Sequence, residues 1–220
     1  CNQCFYNRPK AFYLPIGQRH FPTLEEVGDG IVRVNSGHDS NIDRHYVIRT
    51  TEQYPKRFFN TSIPRFNFPA PVVFTANPNE EEKPILPHDF VYHETSEYEF
   101  DDVMFVRLRV SSTNLHYIIM AAEQWGIEHV PVVLTFMRYY VKDVFAKQND
   151  NFYNYRKYII NPSWCPTEEF MRLTLQIVSQ FNPRIEMCGT PTSSFCKDCL
   201  NCEKYYRITK RRMNESTTSQ

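Results

Sequence analysis

The sequence has no excess of charge, no long apolar run and no recognisable leader. Its 25 basic and 25 acidic residues give a net charge of zero, which argues against a general nucleic-acid binder because such proteins need an excess of Lys and Arg. No apolar run approaches the roughly 20 residues that a membrane-spanning helix needs. No basic-then-apolar leader is visible either, so we expect a cytoplasmic protein without a membrane partner.

The histidines likewise show no H-E-x-x-H or similar pairing, and only His38 is placed in a candidate site. What the sequence does have is 41% apolar and 15% aromatic residues, which exclude a disordered chain. A length of 220 residues is enough to bury a full core without disulfide bonds. We therefore expect one domain, or one domain with a small addition.

The seven cysteines indicate a metal or cluster site. They form an N-terminal pair, Cys1 and Cys4, and a C-terminal group, Cys188, Cys196, Cys199 and Cys202, with Cys165 between them. An odd count with C-x-x-C spacing fits a disulfide framework poorly, whereas thiolates spaced in this way can converge on one metal ion or one iron–sulfur cluster. Cys165 is interpreted as a plain buried or loop cysteine.

Short β-type runs alternate with helical patterns, which predicts an α/β fold with a parallel sheet. The predicted strands are Ile31–Asn35, Pro71–Thr75, Val103–Val110, Val130–Phe136 and Arg184–Met187. The clearest helices are predicted at 115–125 and 167–181, and a capping box predicts a short helix that starts at Thr23. Weaker patterns predict helices at 44–59, 139–146 and 152–160.

Two stretches interrupt this alternation. Residues 60–70 are rich in Pro and Phe and are predicted as a loop, and residues 77–102 are predicted as a lid or an irregular insertion. The Ser/Thr-rich tail is predicted to be disordered. The resulting division is a main domain at 1–187, a cysteine-rich extension at 188–213 and a tail at 214–220.

Polar residues follow the predicted strands. Chemistry is expected there because the carboxyl ends of parallel strands meet at one edge of a sheet or barrel. These residues are Asn35, Ser36, His38, Asp39, Thr75, Asn77, Arg109, Ser111, Ser112 and Asn114. Loops are polar in general, but the repetition at successive strand ends favours a lined pocket. We interpret this set as candidates for binding a cofactor.

The run Cys1-Asn-Gln-Cys4-Phe5 resembles the end of the radical S-adenosylmethionine (SAM) signature, C-x3-C-x2-C followed by an aromatic residue. In that family, three thiolates hold a [4Fe–4S] cluster whose open iron binds SAM, and the reduced cluster cleaves SAM to a 5′-deoxyadenosyl radical. The resemblance implies a partial (β/α)6 barrel and an electron donor such as a flavodoxin or ferredoxin. It also implies that the sequence starts inside the motif, so that the first strand is missing and the predicted strands are strands two to six.

Three further features extend the resemblance. The run Val32–Asp39 resembles the family's glycine-containing motif, which contacts the SAM amino group. Arg109, Ser111 and Ser112 resemble positions that hold the SAM carboxylate or ribose. The Cys188-x7-Cys196-x2-Cys199-x2-Cys202 spacing resembles that of small phage-associated radical SAM proteins and implies a second iron–sulfur cluster or a zinc ion. The substrate is left open as a small molecule or a peptide.

Two other functions agree with the sequence. In one, Cys1, Cys4, Cys199 and Cys202 form a Cys4 zinc site in a non-catalytic interaction module. In the other, the segment Lys204–Arg212 binds nucleic acid through its charge and its tyrosines. A solvated amphipathic helix is the simpler interpretation of this segment because the net charge is zero.

Overall fold

The computed structural model describes residues 21–35, 38–90, 100–139, 150–157, 162–190 and 199–218. Within these ranges the chain forms a six-stranded sheet, a two-stranded hairpin and five α-helices. The sheet contains β1 (Val32–Val34), β2 (Arg57–Thr61), β3 (Val72–Thr75), β4 (Val103–Val110), β5 (Val132–Phe136) and β8 (Ile185–Met187). The hairpin pairs β6 (Tyr153–Arg156) with β7 (Ser163–Pro166). The helices are α1 (Leu24–Val27), α2 (Arg44–Thr51), α3 (Leu115–Ile127), α4 (Glu168–Val178) and α5 (Asn201–Thr218).

The six strands lie in their order along the chain, β1-β2-β3-β4-β5-β8, and every neighbouring pair is parallel. The predicted α/β class and parallel sheet are therefore confirmed. Each connection moves the chain one strand over in the same direction, an order that is compatible with a partial barrel. Among the described helices, none combines the length and the apolarity needed to span a bilayer.

Helices α2, α3 and α4 pack on one face of the sheet. Trp125 of α3 and Phe170 of α4 join the same buried cluster as Phe74 of β3 and Leu134 of β5. The rings of Phe74 and Trp125 meet edge to face, with their centroids 6.0 Å apart. Phe66, from the predicted Pro- and Phe-rich loop, is buried in the same cluster. The aromatic richness of the chain is therefore used mainly to build this core.

Helix α5 covers the opposite face of the sheet. Tyr205 and Tyr206 are buried against Phe58 of β2, Phe105 of β4 and Val133 of β5. Val133 lies between Val132 and Leu134, which face the other helices, so β5 is buried on both sides. Its continuous apolar run follows from this double burial.

Both ends of α5 are tied to the sheet. Asn201 donates a hydrogen bond to the carbonyl of Met187 at 2.8 Å, and Arg212 donates to the carbonyls of Asp101 and Val103. The helix therefore starts at the end of β8 and runs back to the start of β4. The region predicted as a cysteine-rich extension is, in its described part, a layer of the main fold. The helix also continues to Thr218, where a disordered tail was predicted.

Three predicted helices match the structure. The capping box is present at α1, where the Thr23 N–H donates to the Glu26 carboxylate at 2.7 Å and the Glu26 N–H donates to the Thr23 hydroxyl at 3.2 Å. Helices α3 and α4 occupy the predicted segments. Local signals suffice here because capping residues and one-sided apolar periodicity agree.

The helix predicted at 44–59 is wrong beyond Thr51, because residues 57–61 form strand β2. Pro55 interrupts the helical pattern before the strand. Phe58 and Phe59 are buried on opposite faces of the sheet, which is typical of an inner strand. The sheet thus has one parallel strand more than predicted, and the assignment of the strands as two to six is corrected.

The helix predicted at 152–160 is also wrong where it is described, because Tyr153–Arg156 is strand β6. It pairs antiparallel with β7 and places the rings of Tyr155 and Trp164 5.2 Å apart. Cross-strand aromatic pairs of this kind stabilise a hairpin. Tyr139 forms a bridge with Trp164, and the rest of the helix predicted at 139–146 lies outside the described residues. The described part of the stretch 77–102 is an irregular insertion in which Leu86 is buried in the core.

Candidate functional site

A cavity of about 610 Å³ lies between α5 and the face of the sheet that this helix covers. Three of the predicted metal ligands, Cys188, Cys199 and Cys202, line it. We refer to it as the cysteine cavity. It brings together the end of the last strand of the sheet and the start of the last helix.

Local structure places the three cysteines along the cavity. The N–H of Cys188 donates to the carbonyl of Leu134 at 2.7 Å, which holds this residue at the end of β8. Cys199 precedes α5, and Cys202 is the second residue of the helix. Between them, Leu200 has φ 54°, a left-handed conformation that is unusual for Leu and turns the chain into the helix.

The donor set suits a soft metal centre, since thiolates favour zinc and iron–sulfur clusters. Among the residues that the structure describes, no three Cys, His, Asp or Glu side chains come close enough to hold a metal ion. The predicted ligands Cys1, Cys4 and Cys196 lie outside those residues. Cys165 is buried in the hairpin, in agreement with its predicted structural role.

Two guanidinium groups, Arg33 of β1 and Arg107 of β4, line the cysteine cavity from the sheet. Burial first of all, and then the nearby charge of Arg33, lower the pKa of Arg107, which is about 10. Cys188 and Cys202 act in the opposite sense, because an ionised thiol stabilises the charged guanidinium. By reciprocity, the guanidinium favours the thiolate form that binds metals.

Sequence reasoning missed both arginines because it considered only the residues after each strand. A signal was present, since Arg33 stands between Val32 and Val34, and Arg107 alternates with the apolar residues of β4. Side chains alternate between the two faces of a strand, so a cation flanked by apolar residues indicates that one face contains a polar site. Arg107 also donates a long hydrogen bond, 3.5 Å, to the hydroxyl of Thr75. Through this contact, Thr75 is linked to a residue that lines the cavity.

Asp39, predicted to contact a cofactor, organises a loop instead. Its carboxylate accepts five hydrogen bonds, from the N–H of Asn41, the hydroxyl and N–H of Ser62, the N–H of Ile63 and the hydroxyl of Thr61. These partners join the loop after β1 to the end of β2. A carboxylate with so many donors has no remaining need for a ligand.

The predicted residues at the ends of β3 and β4 are likewise bound to neighbouring backbone. Asn77 donates to the carbonyl of Arg109 at 2.8 Å and accepts from its N–H at 2.7 Å, and Arg109 donates to the carbonyl of Pro78 at 2.6 Å. Asn114 accepts from the N–H of Ser111 at 2.9 Å. These amide bridges extend the pairing of the strands beyond their ends, which is a structural use of the predicted residues.

The remaining predicted cofactor residues do not converge either. Ser112 donates to the carboxylate of Asp150, His38 is exposed, and Asn35 adopts a left-handed turn with φ 53°. Ser36 lies outside the described residues. None of the described members of this set lines the cysteine cavity. The cysteine cavity lies on the face of the sheet that α5 covers, apart from the predicted residues at the strand ends.

The basic segment of α5 is engaged within the protein. Lys204 pairs with Glu186, and Arg207 pairs with Glu203 at 2.7 Å. Arg212 is bound to the backbone at the start of β4. These contacts reduce the cationic surface that this segment offers to nucleic acid, in line with the simpler interpretation made from the sequence.

Comparisons with known proteins identify no relative. No protein-family model matches the chain, and neither curated proteins nor solved structures show significant similarity to it.

Proposed function

We propose that this chain is the catalytic domain of a radical SAM enzyme that has a second, thiolate-bound metal centre in the cysteine cavity. The observation that carries the proposal is that Cys188, Cys199 and Cys202 line one cavity on one face of an all-parallel sheet. The motif Cys1-x2-Cys4-Phe5, which precedes β1 in the sequence, supports the radical SAM part of the proposal.

The topology supports a barrel-like enzyme. Six parallel strands in sequential order, with α2, α3 and α4 on one face, have the arrangement from which β/α barrels are built. In the proposal, all six strands follow the cluster motif, which is one strand more than the resemblance implied. The inner face of the sheet, beneath α5, is then the inside of the partial barrel.

The cofactors of such an enzyme are a [4Fe–4S] cluster and SAM, which together supply a 5′-deoxyadenosyl radical that abstracts a hydrogen atom from the substrate. Cys1 and Cys4 would bind this cluster. Cys188, Cys196, Cys199 and Cys202 would hold the second centre, either an iron–sulfur cluster or zinc. Arg107 would favour the ionised form of Cys188 and Cys202.

Anaerobic reconstitution of the full chain with iron and sulfide tests the proposal. We expect a brown protein whose iron content falls in a Cys188→Ser variant and stays unchanged in a Cys165→Ser variant. The reason is that Cys188 lines the cavity and Cys165 does not. Reduction with dithionite in the presence of SAM should then release 5′-deoxyadenosine. A colourless protein that holds stoichiometric zinc and no iron would refute the enzyme and favour the zinc-binding interaction module.

A further inference from the structure

The cysteine cavity carries more positive than negative charge. Its described cations are Arg33, Lys56, Arg107, Arg207 and Lys210, and its described carboxylates are Asp29 and Glu203. Lys56 pairs with Asp29 at 3.1 Å, and Arg207 pairs with Glu203 at 2.7 Å. Among the described residues that line the cavity, Arg33, Arg107 and Lys210 therefore have no carboxylate partner, although Lys210 interacts with Asp102 outside the lining.

The two guanidinium groups are placed at an electrostatic cost. Arg33 and Arg107 come from different strands, β1 and β4, and each disfavours the charge of the other. The Nε of Arg33 is buried and has no hydrogen-bond acceptor among the described residues. A buried donor without an acceptor and two neighbouring like charges are both unfavourable in the empty protein. A bound anion with several oxygen atoms would relieve both.

The floor of the cavity is apolar and closed. Phe58, Phe105 and Tyr206 are only 2%, 1% and 6% exposed, because they pack together beneath α5. Apolar surface that a ligand can reach is offered by the lining residues Ile31, Pro55 and Leu200. The volume of about 610 Å³ is within the range of sites for small organic ligands and exceeds what a single inorganic anion needs.

We infer that the cysteine cavity binds a nucleotide, with its phosphates between Arg33, Arg107 and Lys210 and its base against the apolar side chains of Ile31, Pro55 and Leu200. Guanidinium groups suit this ligand because they donate two parallel hydrogen bonds to phosphate oxygens. The binding itself does not depend on radical SAM chemistry. Only the further statement that the nucleotide is the substrate rests on the proposed function.

Calorimetric titration of the full chain, without added metal or SAM, tests the inference. The probes are ATP, adenosine and inorganic tripolyphosphate. We expect ATP to bind, tripolyphosphate to compete with it, and adenosine to bind at least about tenfold more weakly, because it lacks the charge that the cations recognise. Equal binding of ATP and adenosine would overturn the inference, since it would indicate an apolar cavity only.

Charge-removing variants locate the binding. Arg33→Gln and Lys210→Gln should each weaken ATP binding about tenfold, as expected for loss of one charge-assisted contact. The control is Arg172→Gln, because Arg172 lies on α4, on the other side of the sheet, and pairs with Glu168. Far-UV circular dichroism confirms that each variant is folded. Wild-type affinity in the Arg33→Gln/Lys210→Gln double variant would refute the site.

The two proposals fail separately. Absence of ATP binding would overturn the nucleotide site, while SAM cleavage by the reconstituted protein would still support the enzyme. The opposite result would be a colourless protein that contains only zinc but binds ATP through Arg33. The nucleotide site would then stand without the radical chemistry.

Discussion

Two polar side chains of this protein, Asp39 and Arg107, have opposite environments. Asp39 is surrounded by donors and holds a loop to the end of β2. Arg107 is buried beside another cation and near two thiols. A satisfied carboxylate stabilises the fold, whereas an uncompensated cation in a cavity reduces stability and marks a binding site.

Replacing Arg107 by Met should therefore stabilise the protein. The pKa of Arg107 in the folded chain, about 10, is below its ordinary value, so its charge opposes folding at every pH below about 10. We expect Arg107→Met to raise the free energy of unfolding by about 1–3 kcal/mol, measured by urea denaturation at pH 7. The gain should shrink as the pH rises above about 10, where the unfolded chain alone remains charged.

The exposed Arg172 provides the comparison for this variant. Arg172→Met should change the free energy of unfolding by less than about 0.5 kcal/mol, because surface ion pairs contribute little. A loss of stability in Arg107→Met would show that the guanidinium holds the fold together, and would contradict the interpretation of a binding group.

Among the secondary structure elements, α5 has the largest influence on the site. Cys199 immediately precedes it, its first turn carries Cys202, and Tyr205 and Tyr206 are buried between it and the sheet. The helix therefore forms one wall of the cavity and also covers a face that would otherwise be open. Burial and the nearby Glu186 both raise the pKa of Tyr205, as expected for a phenol enclosed in this interface.

Truncating Tyr205 should weaken the attachment of α5. The side chain is 5% exposed and its ring lies 5.5 Å from that of Phe105. We expect Tyr205→Ala to lower the free energy of unfolding by about 3–4 kcal/mol, measured by chemical denaturation. Ile208→Ala is the matched control on the same helix, because Ile208 is 49% exposed and should cost less than about 1 kcal/mol. Equal effects of the two variants would argue against the packed interface.

The molecule as a whole is a parallel sheet covered by helices on both faces. Its central strands β3, β4 and β5 contribute residues to both buried clusters. The outermost strands, β1 and β8, each have three residues and a neighbouring strand on one side only within the described chain. Local stability should therefore fall from the centre of the sheet to its edges.

Hydrogen exchange measured by mass spectrometry should show this gradient. We expect the slowest exchange in β4, whose amides are paired on both sides, and exchange at least about tenfold faster in β1 and β8. Addition of ATP should protect β1 more than β8, because Arg33 of β1 belongs to the inferred phosphate site. Uniform exchange across the sheet would contradict the expected fall in local stability from the centre of the sheet to its edges.

Local patterns in the amino-acid sequence were sufficient for the α/β class, most sheet strands, the cap of α1, the positions of α3 and α4 and the cysteine grouping, because each depends on neighbouring residues. They did not reveal β2 and the hairpin, whose short aromatic runs fit either a helix or a strand until they meet a partner. The site needed the tertiary structure for the same reason. Whether the hydrogen-bonding capacity of Asp39 and the charge of Arg107 are satisfied depends on residues distant in the chain. Only folding brings Arg33, Arg107 and the cavity cysteines to the lining of one cavity.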